Sequence, residues 1–186
     1  MRGSKIVSPT YHNVESYLAD LEKRRTLEHA PMAAVFCLGD NGLLTKKVEG
    51  FPWLTRVRCE LPTRPLDSQG REQPIRATYI GYCNGEDEEQ WKIFVTGMHG
   101  IGIRSLKWLK LGRTSARQLA HLEESDLILI AGGDMVNTAK CFDLLVDGKH
   151  AVGERVKWRY WSGAVLVGVG SGAQLLGQKY FRPPDV

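Results

Sequence analysis

The 186 residues, 42% hydrophobic and 25% charged, are enough for one globular domain that buries its own core without disulfide or metal staples. A formal charge of +4, with Lys and Arg spread among Asp and Glu, gives no basic block to track phosphates, so no nucleic-acid partner is expected. No apolar stretch approaches the roughly 20 residues of a bilayer span. The opening Met1-Arg-Gly-Ser-Lys-Ile-Val7 also lacks the apolar centre of a secretion signal, so no membrane is expected and the protein is assigned to the cytoplasm. The cysteines Cys37, Cys59, Cys83 and Cys141 form no C-x-x-C pair and lie mostly in apolar segments, which predicts buried free thiols, no metal site and no cofactor.

Two unequal regions follow from the patterning. Residues 1–72 are an N-terminal region expected to pack on the same domain, with a short surface helix over Ser16–Arg24 and an apolar run over Met32–Leu38. That run ends at the turn-forming Gly39-Asp-Asn-Gly42. Pro52–Leu61 reads as a further strand, and Pro62–Gln73 as a loop.

Residues 73–186 are regular. Ile75–Cys83 predicts a strand closed by Asn84-Gly85. Glu86–His99 then sets Trp91, Phe94, Val95 and Met98 at helical spacing, with acids at its positive end. Ile103–Leu111 predicts a second strand, and Thr114 or Ser115 caps a helix to about Glu124. Asp126–Ala131 is a third strand running into Gly132-Gly133-Asp134, with Met135, Ala139, Phe142 and Leu145 at helical spacing behind it. Gly153–Tyr160 continues or follows that helix, Ala164–Val169 is a fourth strand, and Ala173–Gln178 opens a last helix.

Strands alternating with helices predict parallel pairing through right-handed crossovers, and continuous apolar strands predict a sheet covered on both faces. The fold class is α/β, a doubly wound and mostly parallel sheet of the flavodoxin-like kind. Its ligands bind beyond the carboxyl ends of the strands.

Two glycine turns open on that edge. The strand–turn–helix over Ala164–Gly177 has the layout of a nucleophile elbow, and backbone N–H groups near Gly132, Gly133, Asp134 and Gly172 can face an oxyanion or a bound anion. The same glycines also serve for close packing alone. Gly168-Val-Gly170-Ser-Gly172 is only a weak dinucleotide signal, since the turn comes at the fourth strand of the regular series and the matching acidic residue some 20 residues on is not expected.

Residues 75–178 resemble the dipeptidase E and cyanophycinase family of serine peptidases, which have a glutamine-amidotransferase-like fold. The resemblance rests on Ile128-Leu-Ile-Ala-Gly-Gly-Asp134 and on Gly168-Val-Gly-Ser-Gly-Ala173, set against the family's G-x-S-A-G-A. Tyr79-Ile-Gly-Tyr-Cys83 matches the strand before the family's first polar loop. In the best-matching frame the nucleophile position is Gly170, while Ser171 falls where the family has alanine. An elbow needs small residues two before and two after its apex, which Gly168 and Gly172 supply for Gly170. Ser171 as apex would be flanked by Val169 and Ala173.

The family's histidine base follows its serine, but no histidine follows Ser171 here. His99, His121 and His150 lie upstream and match no family position.

Three readings result. The first is a catalytically impaired relative acting as a binding or assembly module. The second is an active serine hydrolase cleaving small peptides or amide bonds through Ser171. The third is a protein that binds a phosphorylated ligand at the two turns. A small peptide or amide-bearing ligand is the expected partner molecule. Because so little follows the elbow, a sheet edge is expected to be covered by residues 1–72, by a homodimer or by a partner chain. Trp158-Arg-Tyr-Trp161 is a candidate contact surface.

Overall fold

The computed structural model describes residues 33–63, 68–70, 73–146 and 150–180. The chain divides into two compact units, Met1–Pro31 and Met32–Val186. The first, with the helix expected over Ser16–Arg24, lies outside the described residues.

In chain order the elements are β1 (Val35–Leu38), β2 (Lys47–Val48), β3 (Phe51–Pro52), α1 (Thr55–Glu60), β4 (Arg76–Ile80), α2 (Glu88–Gly100) and β5 (Ser105–Leu109). They continue with α3 (Ala116–Glu123), β6 (Leu127–Ile130), α4 (Met135–Cys141), α5 (Val152–Trp161), β7 (Val165–Val169) and α6 (Ser171–Tyr180). Five strands form one sheet in the order β1-β7-β6-β4-β5, every pairing parallel. Strands β2 and β3 make a small antiparallel hairpin. The doubly wound α/β class holds.

Strand period sorts the core into two layers. Ala77, Tyr79, Leu127, Leu129, Val165 and Val167 face one layer, where Leu54, Val57, Phe94 and Met98 of the α1 and α2 region close the cover. Ile80, Ile128, Ile130 and Leu166 face the other, covered by Leu122, Val152, Val156 and Leu176. All nine residues of β6 and β7 are buried, as their unbroken apolar runs require.

From β4 the chain moves outward to β5, then returns past β4 to β6. The order reverses between β4 and β6, so their carboxyl ends form the switch point at which such folds bind ligands.

The edge beyond β7 is occupied by β1, with Val35–Leu38 in register against Leu166–Val169. An apolar strand from the N-terminal region therefore pairs with the elbow strand. The opposite edge, β5, pairs with β4 alone.

Pro52–Leu61 is corrected from a strand to helix α1. Its sequence carries two periods at once. Thr55, Val57, Cys59 and Leu61 alternate, but Leu54, Val57 and Leu61 also recur at helical spacing. Burial chooses the helix: Leu54, Val57 and Leu61 are buried, while Thr55 and Cys59 are exposed.

Two caps follow the sequence closely. Ser115 closes a capping box with Gln118 at the start of α3, and Asp87 accepts the Glu89 N–H at the start of α2.

Candidate functional site

At the carboxyl end of β7 the backbone turns at Gly170, whose φ is +52°, and α6 begins at Ser171. A left-handed residue costs about 1–2 kcal/mol when it carries a Cβ, and glycine avoids that cost. The Gly170 N–H donates to the Leu38 carbonyl at 2.8 Å, tying the turn to β1. Its own carbonyl accepts from Ala173 and Gln174, which starts the helix.

The flanking glycines meet a different demand. A Cβ at Gly168 would stand 2.6 Å from the Ala173 Cα, and one at Gly172 would run into the Ile130 and Ala131 carbonyls. Strand, turn and helix backbones are in contact there. A Cβ at Gly170 would meet Gly132 Cα and the Gly39 carbonyl, both at an ordinary 3.7 Å. The apex has room for a side chain and has none.

Ser171 is 8% exposed, and its hydroxyl points into protein. Its Oγ accepts the Gly133 N–H at 2.9 Å and lies 3.2 Å from the Gly133 carbonyl. Thr138 Oγ1 is 2.8 Å away, and also 2.7 Å from the Asp134 carbonyl one helical turn back. A hydroxyl has one hydrogen and two lone pairs. A carbonyl can only accept, so Thr138 uses its hydrogen on Asp134 or on Ser171, and Ser171 directs its own to Thr138 or Gly133. In either arrangement the Ser171 hydrogen and at least one of its lone pairs are engaged by Gly133 and Thr138. The Gly133 N–H, a candidate oxyanion donor, is engaged in the same contact.

The second glycine turn closes the switch point. A Cβ on Gly133 would collide with the Cys83 carbonyl and Asn84 Cα, and one on Gly132 would stand 2.6 Å from the Val169 carbonyl. The Asp134 N–H donates to the Cys83 carbonyl at 2.8 Å, and its carboxylate caps α4 by accepting the Asn137 N–H at 2.8 Å. Gly132, Gly133 and Asp134 thus join the ends of β4, β6 and β7 by backbone contact.

Sequence reasoning did not single out Thr138 and Cys83 for this place. Thr138 had a local signal, since it sits one helical turn after Asp134 on the face that α4 turns inward. Cys83 is fully buried at the end of the β4 turn. A hydrogen bond with Cys141 lowers its thiol to about 7, against the opposing effect of burial, and Thr138 adds to the lowering. The same bond, with burial, pushes Cys141 up.

The three histidines among the described residues stand elsewhere. His121 Nε2 lies 3.2 Å from the Ala77 carbonyl, at the amino end of β4 and so at the opposite end of the sheet from Ser171. Burial lowers its pKa below the ordinary 6.5, with Arg76 and Lys107 adding to the effect. His150 Nδ1 is 3.1 Å from an Arg155 nitrogen, and His99 is exposed in the last turn of α2. No imidazole is among the Ser171 partners in the described residues. Of the aromatic group over 158–161, Tyr160 is buried and Trp161 is 40% exposed. Among the described residues no helix is long and apolar enough to cross a membrane, and no three His, Cys, Asp or Glu gather as metal ligands.

No protein-family model matches the chain, and no curated protein does. Among solved structures, a peptidase from an acI-B1 Actinobacterium aligns at 16% identity with a TM-score of 0.46, over 78% of this chain. The chain spans 57% of that structure's length.

Proposed function

We propose that this chain is a catalytically silent relative of the dipeptidase E-like serine peptidases, a binding or assembly module that keeps the elbow and has lost its nucleophile. The supporting observation is the bare apex: Gly170 holds φ +52° with room for a side chain and carries none. The neighbouring hydroxyl does not substitute for one. Ser171 Oγ is bonded to Gly133 and Thr138, no imidazole is among its partners in the described residues, and a serine without an oriented base is a weak nucleophile.

Its ligand is a small peptide or amide-bearing molecule at the carboxyl edge of the sheet. There the Gly39 carbonyl and the Gly132 backbone flank the apex, and the Ser171 and Gly172 N–H groups precede the first two N–H groups of α6 that the Gly170 carbonyl accepts.

Steady-state hydrolysis of a peptide–nitroanilide series by the unaltered chain tests the reading. The expected rate is that of buffer. Turnover that disappears in Ser171→Ala would establish the hydrolase reading instead. Tight binding of phosphorylated small molecules, with no binding of peptides, would establish the phosphate-binding one.

A further inference from the structure

The edge strand β5 and the start of α3 carry a concentration of charge unlike the rest of the chain. Residues 101–122 contain no Asp or Glu but hold Arg104, Lys107, Lys110, Arg113 and Arg117. Among the described residues none of the five makes an ion pair. The acids that follow, Glu123 and Glu124, are engaged by Arg155 and Arg76. Five cations without counter-charges on one edge raise a positive potential that favours an anionic partner.

The edge itself is open. Strand β5 pairs with β4 on one side, and no strand among the described residues pairs with its other side. Capping is confined to its carboxyl end, where the Trp108 carbonyl accepts from Gln118 Nε2 at 2.7 Å and the Lys110 carbonyl from Thr114 Oγ1 at 3.0 Å among the described residues. An exposed row of strand N–H and C=O groups is a template for an added strand.

The aromatic side chain in the patch argues against nucleic acid. The Trp108 ring stacks on Trp91 at 5.6 Å and meets Tyr79 edge-on at 5.9 Å, and the Lys110 ammonium sits over it at 4.0 Å. It has no open face for a base, and base stacking is what supplements backbone charge in single-strand binding. The chain's own first segment does not supply the charge either, since residues 1–31 hold five Lys and Arg against four Asp and Glu.

We infer that β5 is a docking edge for an acidic, extended polypeptide from another protein, added to the sheet as a strand and held by the cations at 104–117. This inference is independent of whether the elbow is silent.

The test uses the unaltered chain and a fluorescent peptide of about six residues alternating glutamate and valine, a usual strand length. Anisotropy should report saturable binding that weakens as salt rises. The same peptide with alternate backbone nitrogens methylated keeps its charge and loses its strand hydrogen bonds, so it should not bind. Arg104→Glu combined with Arg117→Glu, both at exposed positions, should weaken binding about tenfold. Equal binding of the methylated peptide, tighter binding of an oligothymidylate, or no binding of the acidic peptide would each overturn the inference. The peptide comparisons need no variant, so they stand even if the double variant misfolds.

Discussion

The Ser171 hydroxyl accepts the Gly133 N–H at 2.9 Å, so the polar group next to the elbow's apex links the β7 turn to the β6 turn. The contact joins two loops whose order along the chain resembles a hydrolase. It also occupies both the oxygen and the donor that a hydrolase would keep available for substrate.

Removing that oxygen therefore tests structure before chemistry. Ser171→Ala leaves the Gly133 N–H without its Ser171 acceptor and removes one of the Thr138 contacts. Gly133 is exposed, so water can take up its N–H, and the expected loss is that of one ordinary hydrogen bond, about 0.5–1.5 kcal/mol. Urea denaturation should show a loss of that size. An unchanged midpoint would mean that the hydroxyl is not engaged as described.

The glycines of the turn should separate by cause. A Cβ at Gly170 meets no atom closer than 3.7 Å, so the penalty of Gly170→Ala is conformational, about 1–2 kcal/mol, and the variant should fold. Gly168→Ala drives a methyl to 2.6 Å from the Ala173 backbone and should lose at least twice as much. Equal losses in the two variants, read by thermal denaturation, would remove the distinction between a bend and a close approach.

Much of this was legible in the sequence, and the remainder was not for physical reasons. Strands β6 and β7 are doubly buried, so their apolar runs are unbroken and their ends are marked by glycines. The sharp turn at Gly170 leaves a local trace in the sequence, the small residues at 168 and 172 where backbones approach. Helix α1 reads as a strand in sequence because its residues satisfy two periods, and only packing decides between them. The place of β1 beside β7 is a pairing of residues more than a hundred positions apart, which no local pattern records. Thr138 reaches Ser171 across 33 residues for the same reason.

Acid should weaken the fold through His121. Its folded pKa is lowered below the unfolded 6.5, chiefly by burial, so the unfolded chain binds the proton more readily. Its neutral form fits the fold without penalty above pH 6.5. Stability then falls as pH drops below 6.5 toward the depressed folded value. His121→Gln should flatten this part of the stability–pH curve while the rest keeps its shape. A wild-type curve that is flat or rises toward acid in that window would contradict the assignment.

Thiol reactivity should split evenly. Cys37 and Cys59 are exposed, whereas Cys83 and Cys141 are buried in the polar cluster under the elbow. Native alkylation followed by peptide mass mapping should label the first pair quickly and the second pair only at the rate of unfolding. Rapid labelling of Cys83 would show that the β4 turn opens far more often than its packing allows.

The most direct measurement is exposure of the folded chain to a fluorophosphonate probe, with the modified residue located by peptide mapping. The expected result is no adduct at Ser171 under conditions that saturate an active serine hydrolase. A stoichiometric adduct on Ser171, abolished by prior unfolding, would contradict it and restore a working nucleophile to this turn.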